Sequence, residues 1–133
     1  MTGGFFFDKE APKEEGGIPP IGTTLYLARE HMYYVPGRAG PLLEYVVFAG
    51  KVAQHLPGPR KLMCLRGTAP EGYTELVYVS ANSVGTNTFR TERDAAQQAR
   101  TMTDDYEKRW AFTERWGDIP LRRPWEELLK EAL

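Results

Sequence analysis

The sequence predicts an α+β domain: a small antiparallel β-barrel of about five short strands, then a long amphipathic helix and a short C-terminal helix. Residues 21–90 hold runs of β-branched and aromatic residues, broken by Gly- and Pro-rich turns about every ten positions, a pattern of barrels and sandwiches rather than of alternating βαβ units. After Thr91 the apolar residues Ala95, Ala99, Met102, Tyr106 and Trp110 recur at helical spacing and mark one face of an amphipathic helix. The chain has 133 residues, 41% of them hydrophobic, enough for a single domain with a real core and no need of a metal or disulfide staple.

Residues 1–20 read as a flexible tail. Gly3-Gly4, Gly16-Gly17 and Pro19-Pro20 bracket a charged stretch that buries too little to repay its ordering entropy. Phe5, Phe6 and Phe7 are the exception, and docking on the body of the domain is their expected role. The barrel occupies residues 21–90. Its first strand is residues 23–28 (TTLYLA), and residues 32–35 (MYYV) continue it or begin a second. Residues 36–41 (PGRAGP) form a turn, because Pro presets φ and Gly supplies positive φ without a steric penalty. Residues 43–52 (LEYVVFAGKV) are the strongest strand, with Gly50 expected at a bulge or sharp bend. After the turn at Leu56-Pro57-Gly58-Pro59, residues 61–66 (KLMCLR) and 73–80 (YTELVYVS) supply two more strands. Thr88-Phe89-Arg90 is a short last one.

Residues 91–133 are helical, packed on the barrel. Thr91 is placed to cap the long helix, three residues ahead of Asp94, and Glu92 and Asp94 favour its positive end. Gly117 is its expected stop. Pro124 opens a short second helix, on which Trp125, Leu128, Leu129 and Ala132 share a face. A helix this short needs a surface to lie on.

Composition excludes several functions. No run of residues approaches the roughly 18 apolar positions a membrane span needs, and MTGGFFFDKE has neither the basic start nor the apolar stretch of a secretory leader. A cytoplasmic location is therefore expected, and the single Cys64 suits a reducing compartment. Two histidines, His31 and His55, and one cysteine give no metal-ligand spacing. Ser80 and Ser83 lie outside any nucleophile-elbow motif, and no Gly-rich phosphate loop is present. Asp104, Asp105 and Glu107 alternate with Lys108 and Arg109 in the manner of a solvated helix face. No catalytic constellation, cofactor or metal is expected, although an enzyme assembled around His31, His55 or Cys64 stands as an alternative.

Binding surfaces are better represented. His31, Tyr33, Tyr34 and Arg38 fall on or beside one hairpin, and Tyr and Arg are frequent binding hot spots. They are the expected partner-binding residues, and a protein is the expected partner. Nucleic acid is the alternative partner. The charge of −1 conceals a segment, residues 21–66, in which six cations face only Glu30 and Glu44, and a local positive field attracts anions. Trp110, Trp116 and Trp125, with Arg109, Arg115, Arg122 and Arg123, form a second aromatic–basic region. Intramolecular cation–π packing is its expected use. Trp116, Trp125, Leu128 and Leu129 also offer a possible homodimer surface through the terminal helix.

The order Gly22-Thr23-Thr24-Leu25-Tyr26, Glu44-Tyr45-Val46-Val47-Phe48, Tyr78-Val79-Ser80 and Thr88-Phe89-Arg90-Thr91-Glu92-Arg93-Asp94-Ala95 resembles small SH3-like barrel proteins encoded by bacterial phages and mobile elements. In these a last short strand ending in Phe runs through Thr into a helix with an acidic, Ala-containing start. The likeness covers residues 21–100 and is structural. It implies the barrel fold and a mobile-element origin, and no established activity. Some small phage proteins of this size bind and block host defence complexes, and by that analogy alone inhibition of such a complex is the expectation.

Overall fold

The computed structural model describes residues 17–37, 40–111 and 121–131. The architecture is α+β, a curled antiparallel sheet forming a half-barrel, followed by a long helix and a short one. The elements are β1 (Thr24–Tyr33), β2 (Leu42–His55), β3 (Leu62–Thr68), β4 (Thr74–Ser80), a 3-10 turn (Ala81–Ser83), α1 (Glu92–Ala111), β5 (Leu121–Arg122) and α2 (Trp125–Glu131). The sheet order is β1-β2-β3-β4, all antiparallel neighbours, with β5 lying parallel beside the start of β2.

β1 is one continuous ten-residue strand that takes in Met32 and Tyr33 and ends before Tyr34 and Val35. It pairs with β2 from Thr24 opposite Lys51 to Tyr33 opposite Leu42, which centres the hairpin on the Pro-Gly turn, where Gly37 takes a φ of 84°. Gly50 is not the bulge. It pairs regularly with Leu25 and Gly67, and the register shift falls between Val52 and Gln54. Close packing explains the glycine instead, because a Cβ there would meet the Phe48 ring at 2.8 Å and the Leu65 Cβ at 2.9 Å. The expected strand at residues 88–90 shrinks to a single bridge in which Tyr26 and Phe89 exchange backbone hydrogen bonds of 2.7 and 2.6 Å. Its place as fifth strand is taken by β5.

Alternation along β2 builds two cores on opposite faces of one strand, as the two-residue period of a strand requires. Phe48 and Val52 point into the curl with Leu25, Met63 and Leu65, and Ile18, Leu27, Val77 and Val79 close around them. Leu43, Tyr45 and Val47 point outward, beneath Ala96, Ala99 and Trp125 of the helical layer. Each large apolar side chain taken fully from water contributes about 1.5–3 kcal/mol. Of the expected tail, residues 17–20 belong to the body: Ile18 packs on the inner core and the Pro19 carbonyl accepts from His55 Nε2 at 2.7 Å. Phe5–Phe7 lie outside the described residues.

α1 begins where the cap predicts, with the Asp94 amide donating to Thr91 Oγ1 at 3.1 Å. Its buried face holds Ala95, Ala96, Ala99 and Thr103, with Met102 and Tyr106 half-buried. The small residues allow close approach to β1 and β2. Ala96 and Thr103 lie one position beyond Ala95 and Met102 of the expected stripe and widen it on one side. Trp125 is buried between α1 and β2, its indole Nε1 donating to Thr103 Oγ1 at 3.2 Å. The guanidinium groups of Arg100 and Arg123 lie 5.9 and 5.7 Å from its ring centre, the intramolecular cation–π packing expected of this region. Arg123 also pairs with Glu107 and so ties the entry of α2 to α1. Gly117 and Trp116 lie outside the described residues.

Candidate binding cleft at the open end of the half-barrel

The inner face of the sheet is apolar at one end and polar at the other. The side chains of β1 on that face run Leu25, Leu27, Arg29, His31, Tyr33, so the strand passes from core to charge along its length. The pairing register aligns His31 with Glu44 and Glu44 with Arg122 in one row across β1, β2 and β5. His31 Nδ1 lies 2.9 Å from Glu44 Oε2 and its Nε2 lies 2.8 Å from Glu71 Oε2. Carboxylates only accept, so the ring satisfies both neighbours only with a proton on each nitrogen. Glu44 is a buried carboxylate, and its second oxygen lies 3.5 Å from Arg122 Nη1.

Arg122 Nη1 donates to the Tyr33 hydroxyl at 2.8 Å, and its guanidinium lies 5.6 Å from the Tyr33 ring centre. Tyr33 in turn stacks on His31, with centroids 5.4 Å apart and an interplanar angle of 9°. The hydrogen bond to Tyr33, and then the charge of Glu44, raise the Arg122 pKa above its ordinary value. On the other side of the curl Arg29 pairs with Glu75, joining β1 to β4, while its guanidinium approaches the Phe48 ring at 5.7 Å.

A cleft of about 180 Å³ opens over this network, smaller than the 300–1,000 Å³ usual for whole small-molecule ligands and suited to a single inserted side chain. Arg29, Glu30, Glu71 and Glu75 supply its charged lining, with the His31 ring between them, and Met32 and Tyr73 its apolar rim. Met32 is 52% exposed, Tyr73 57% and Tyr34, two residues beyond Met32, 78%. A second hollow of about 320 Å³ lies along the seam between β1, β4 and α1. Its hydroxyls are engaged with one another, Ser83 Oγ lying 2.8 Å from Thr88 Oγ1, and no charged group lines it.

The sequence-predicted binding residues are thus separated in kind. Tyr34 projects freely, His31 and Tyr33 are tied into the network beneath the cleft, and Arg38 lies outside the described residues. Of the expected oligomer surface, Trp125 is buried in the outer core and Leu128 and Leu129 pack against it. Sequence reasoning missed Arg29, Glu44, Glu71, Glu75 and Tyr73, and it grouped Arg122 with the C-terminal tryptophans, whereas its ring partner is Tyr33. One of them was signalled: a carboxylate inside the apolar run LEYVVF demands a partner, and a hairpin folded at Pro36–Pro41 sets His31 opposite it. The others depend on pairings distant in sequence. His55 bonds the Pro19 carbonyl, and Cys64 is buried in β3. Among the described residues no three His, Cys, Asp or Glu side chains gather so as to hold a metal, and no helix is long and apolar enough to cross a membrane. No family model, curated protein or solved structure matches the chain.

Proposed function

We propose that the protein is a non-enzymatic protein-binding module that receives its partner at the open end of the half-barrel. The observation that carries this reading is the pair Met32 and Tyr73, each more than half exposed on the rim of a charged cleft, with Tyr34 exposed two residues beyond Met32. Exposed apolar side chains bordered by polar groups mark interaction sites, and Tyr is a frequent binding hot spot. The partner presents a lysine or arginine. The lining holds Glu30, Glu71 and Glu75 against Arg29 and His31, and the Tyr73 ring offers a face for a cation. The network of His31, Glu44, Tyr33 and Arg122 is the support that fixes this surface before the partner arrives, which lowers the ordering cost of binding. The resemblance to mobile-element barrel proteins sets the first partner class to try, a host defence complex.

Quantitative affinity purification from host lysate tests the proposal. The Tyr34→Ala/Tyr73→Ala variant is expected to recover specific partners at least about tenfold less well than wild type, as loss of hot-spot side chains implies. Asp104→Asn, on the exposed side of α1, leaves recovery unchanged. Equal recovery by the double variant contradicts the assignment.

A further inference from the structure

We infer that the outer face of β2, β3 and β4 is a second binding surface, one that takes single-stranded nucleic acid. It is independent of the cleft and of the partner proposed for it. α1 covers the outer face of the sheet only over β1 and the first half of β2, where Ala28, Leu43, Tyr45 and Val47 lie beneath it. Beyond that cover the register sets Thr24, Lys51, Arg66 and Leu76 side by side in one row across four strands. Tyr78, two residues along β4 from Leu76, shares the face. Leu76 is 52% exposed and Tyr78 58%, and Lys51 and Arg66 are exposed as well.

Charge identifies the occupant. From Ala49 to Thr68 the chain contains Lys51, Arg60, Lys61 and Arg66 and no acidic residue. The one carboxylate of β4, Glu75, points to the opposite face and pairs with Arg29. Lys51 and Arg66 are direct cross-strand partners, and like charges so placed repel. Neither has an ion-pair partner among the described residues. Among the described residues the positive pair at the centre of this sheet face is therefore unrelieved, a cost that an anionic ligand removes. The aromatic and aliphatic side chains beside the pair select among anions. Tyr78 provides a ring on which a base stacks, while the two cations reach the flanking phosphates, the arrangement by which sheets hold single strands without reading their sequence. An overall pI near 6.1 does not oppose this, since the field that guides a ligand is local.

Fluorescence anisotropy of a labelled oligothymidine of about 12 nucleotides tests the inference, with poly-glutamate of similar length as the comparison. The full chain is expected to bind the oligonucleotide at low salt, with affinity falling steeply as salt rises. Lys51→Gln and Arg66→Gln should each lower the slope of log K against log salt by about 0.7. Tyr78→Ala should weaken binding at least about fivefold while leaving that slope unchanged. Lys51→Gln should melt at or above the wild-type temperature, because it relieves the repulsion. The inference is overturned if no anisotropy change occurs at micromolar protein in low salt. It is overturned equally if poly-glutamate binds as tightly as the oligonucleotide and Tyr78→Ala has no effect, which would assign the face to an acidic protein segment.

Discussion

Gly67→Ala is expected to destabilise the fold by about 3 kcal/mol or more, although it adds a single methyl group. Gly67 sits opposite Gly50 in the β2–β3 ladder, and the Phe48 ring lies across both. A Cβ at position 67 would come within 2.3 Å of the Ala49 carbonyl oxygen and 2.7 Å of the Phe48 ring. The ring could rotate away only by leaving the inner core, and the carbonyl could retreat only by moving β2. The backbone at Gly67 is not in the left-handed region, so the requirement is for space and not for conformation. Urea denaturation followed by circular dichroism measures the loss. A cost below about 1 kcal/mol would mean that Phe48 does not occupy the slot above the paired glycines.

Trp125→Ala is expected to cost about 3–5 kcal/mol, the range for emptying a buried tryptophan site. The side chain is the central contact between α2 and the rest of the molecule. It is packed in the outer core, bonded to Thr103 and flanked by two guanidinium groups. A seven-residue helix does not hold its conformation alone in water, so α2 should detach. Arg123, which pairs with Glu107 and directly precedes Pro124 and Trp125, would then be freed. The same denaturation experiment reads the effect, and loss of α2 should appear as reduced helical signal before the main transition. A cost under about 1 kcal/mol would show that the tryptophan is not buried against α1.

Local rules made much of this fold legible. The turn at Pro36–Pro41, the β-rich runs and the Thr91 cap each state a preference that tertiary packing does not override, and the four main strands and α1 follow from them. The errors have physical causes. Gly50 and Gly67 look like weak points in strands, yet they serve a ring that only the paired register brings above them. The strand expected at residues 88–90 is reduced to one bridge, from Phe89 to Tyr26 on the edge of β1, before the cap at Thr91 starts the helix. β5 was hidden since two residues carry no periodicity. For the site, Tyr34 was legible as an exposed aromatic at a hairpin end, whereas Tyr73 and Glu71 come from a different hairpin and meet His31 and Met32 only through the curl of the sheet. Trp125 read as a surface contact because amphipathicity shows that a face is covered and does not say what covers it.

The claim on which everything else depends is that β2 is covered on opposite faces along its length, by the curl toward its end and by the helices toward its beginning. Residue-resolved native-state hydrogen exchange tests it most directly. The account predicts that the paired amides of Leu43–Val52 exchange only through global unfolding, with the same opening free energy in both halves. Exchange of the amides of residues 43–47 several kcal/mol more easily than those of residues 48–52 would show that the helical layer is not seated on the sheet, and would contradict it.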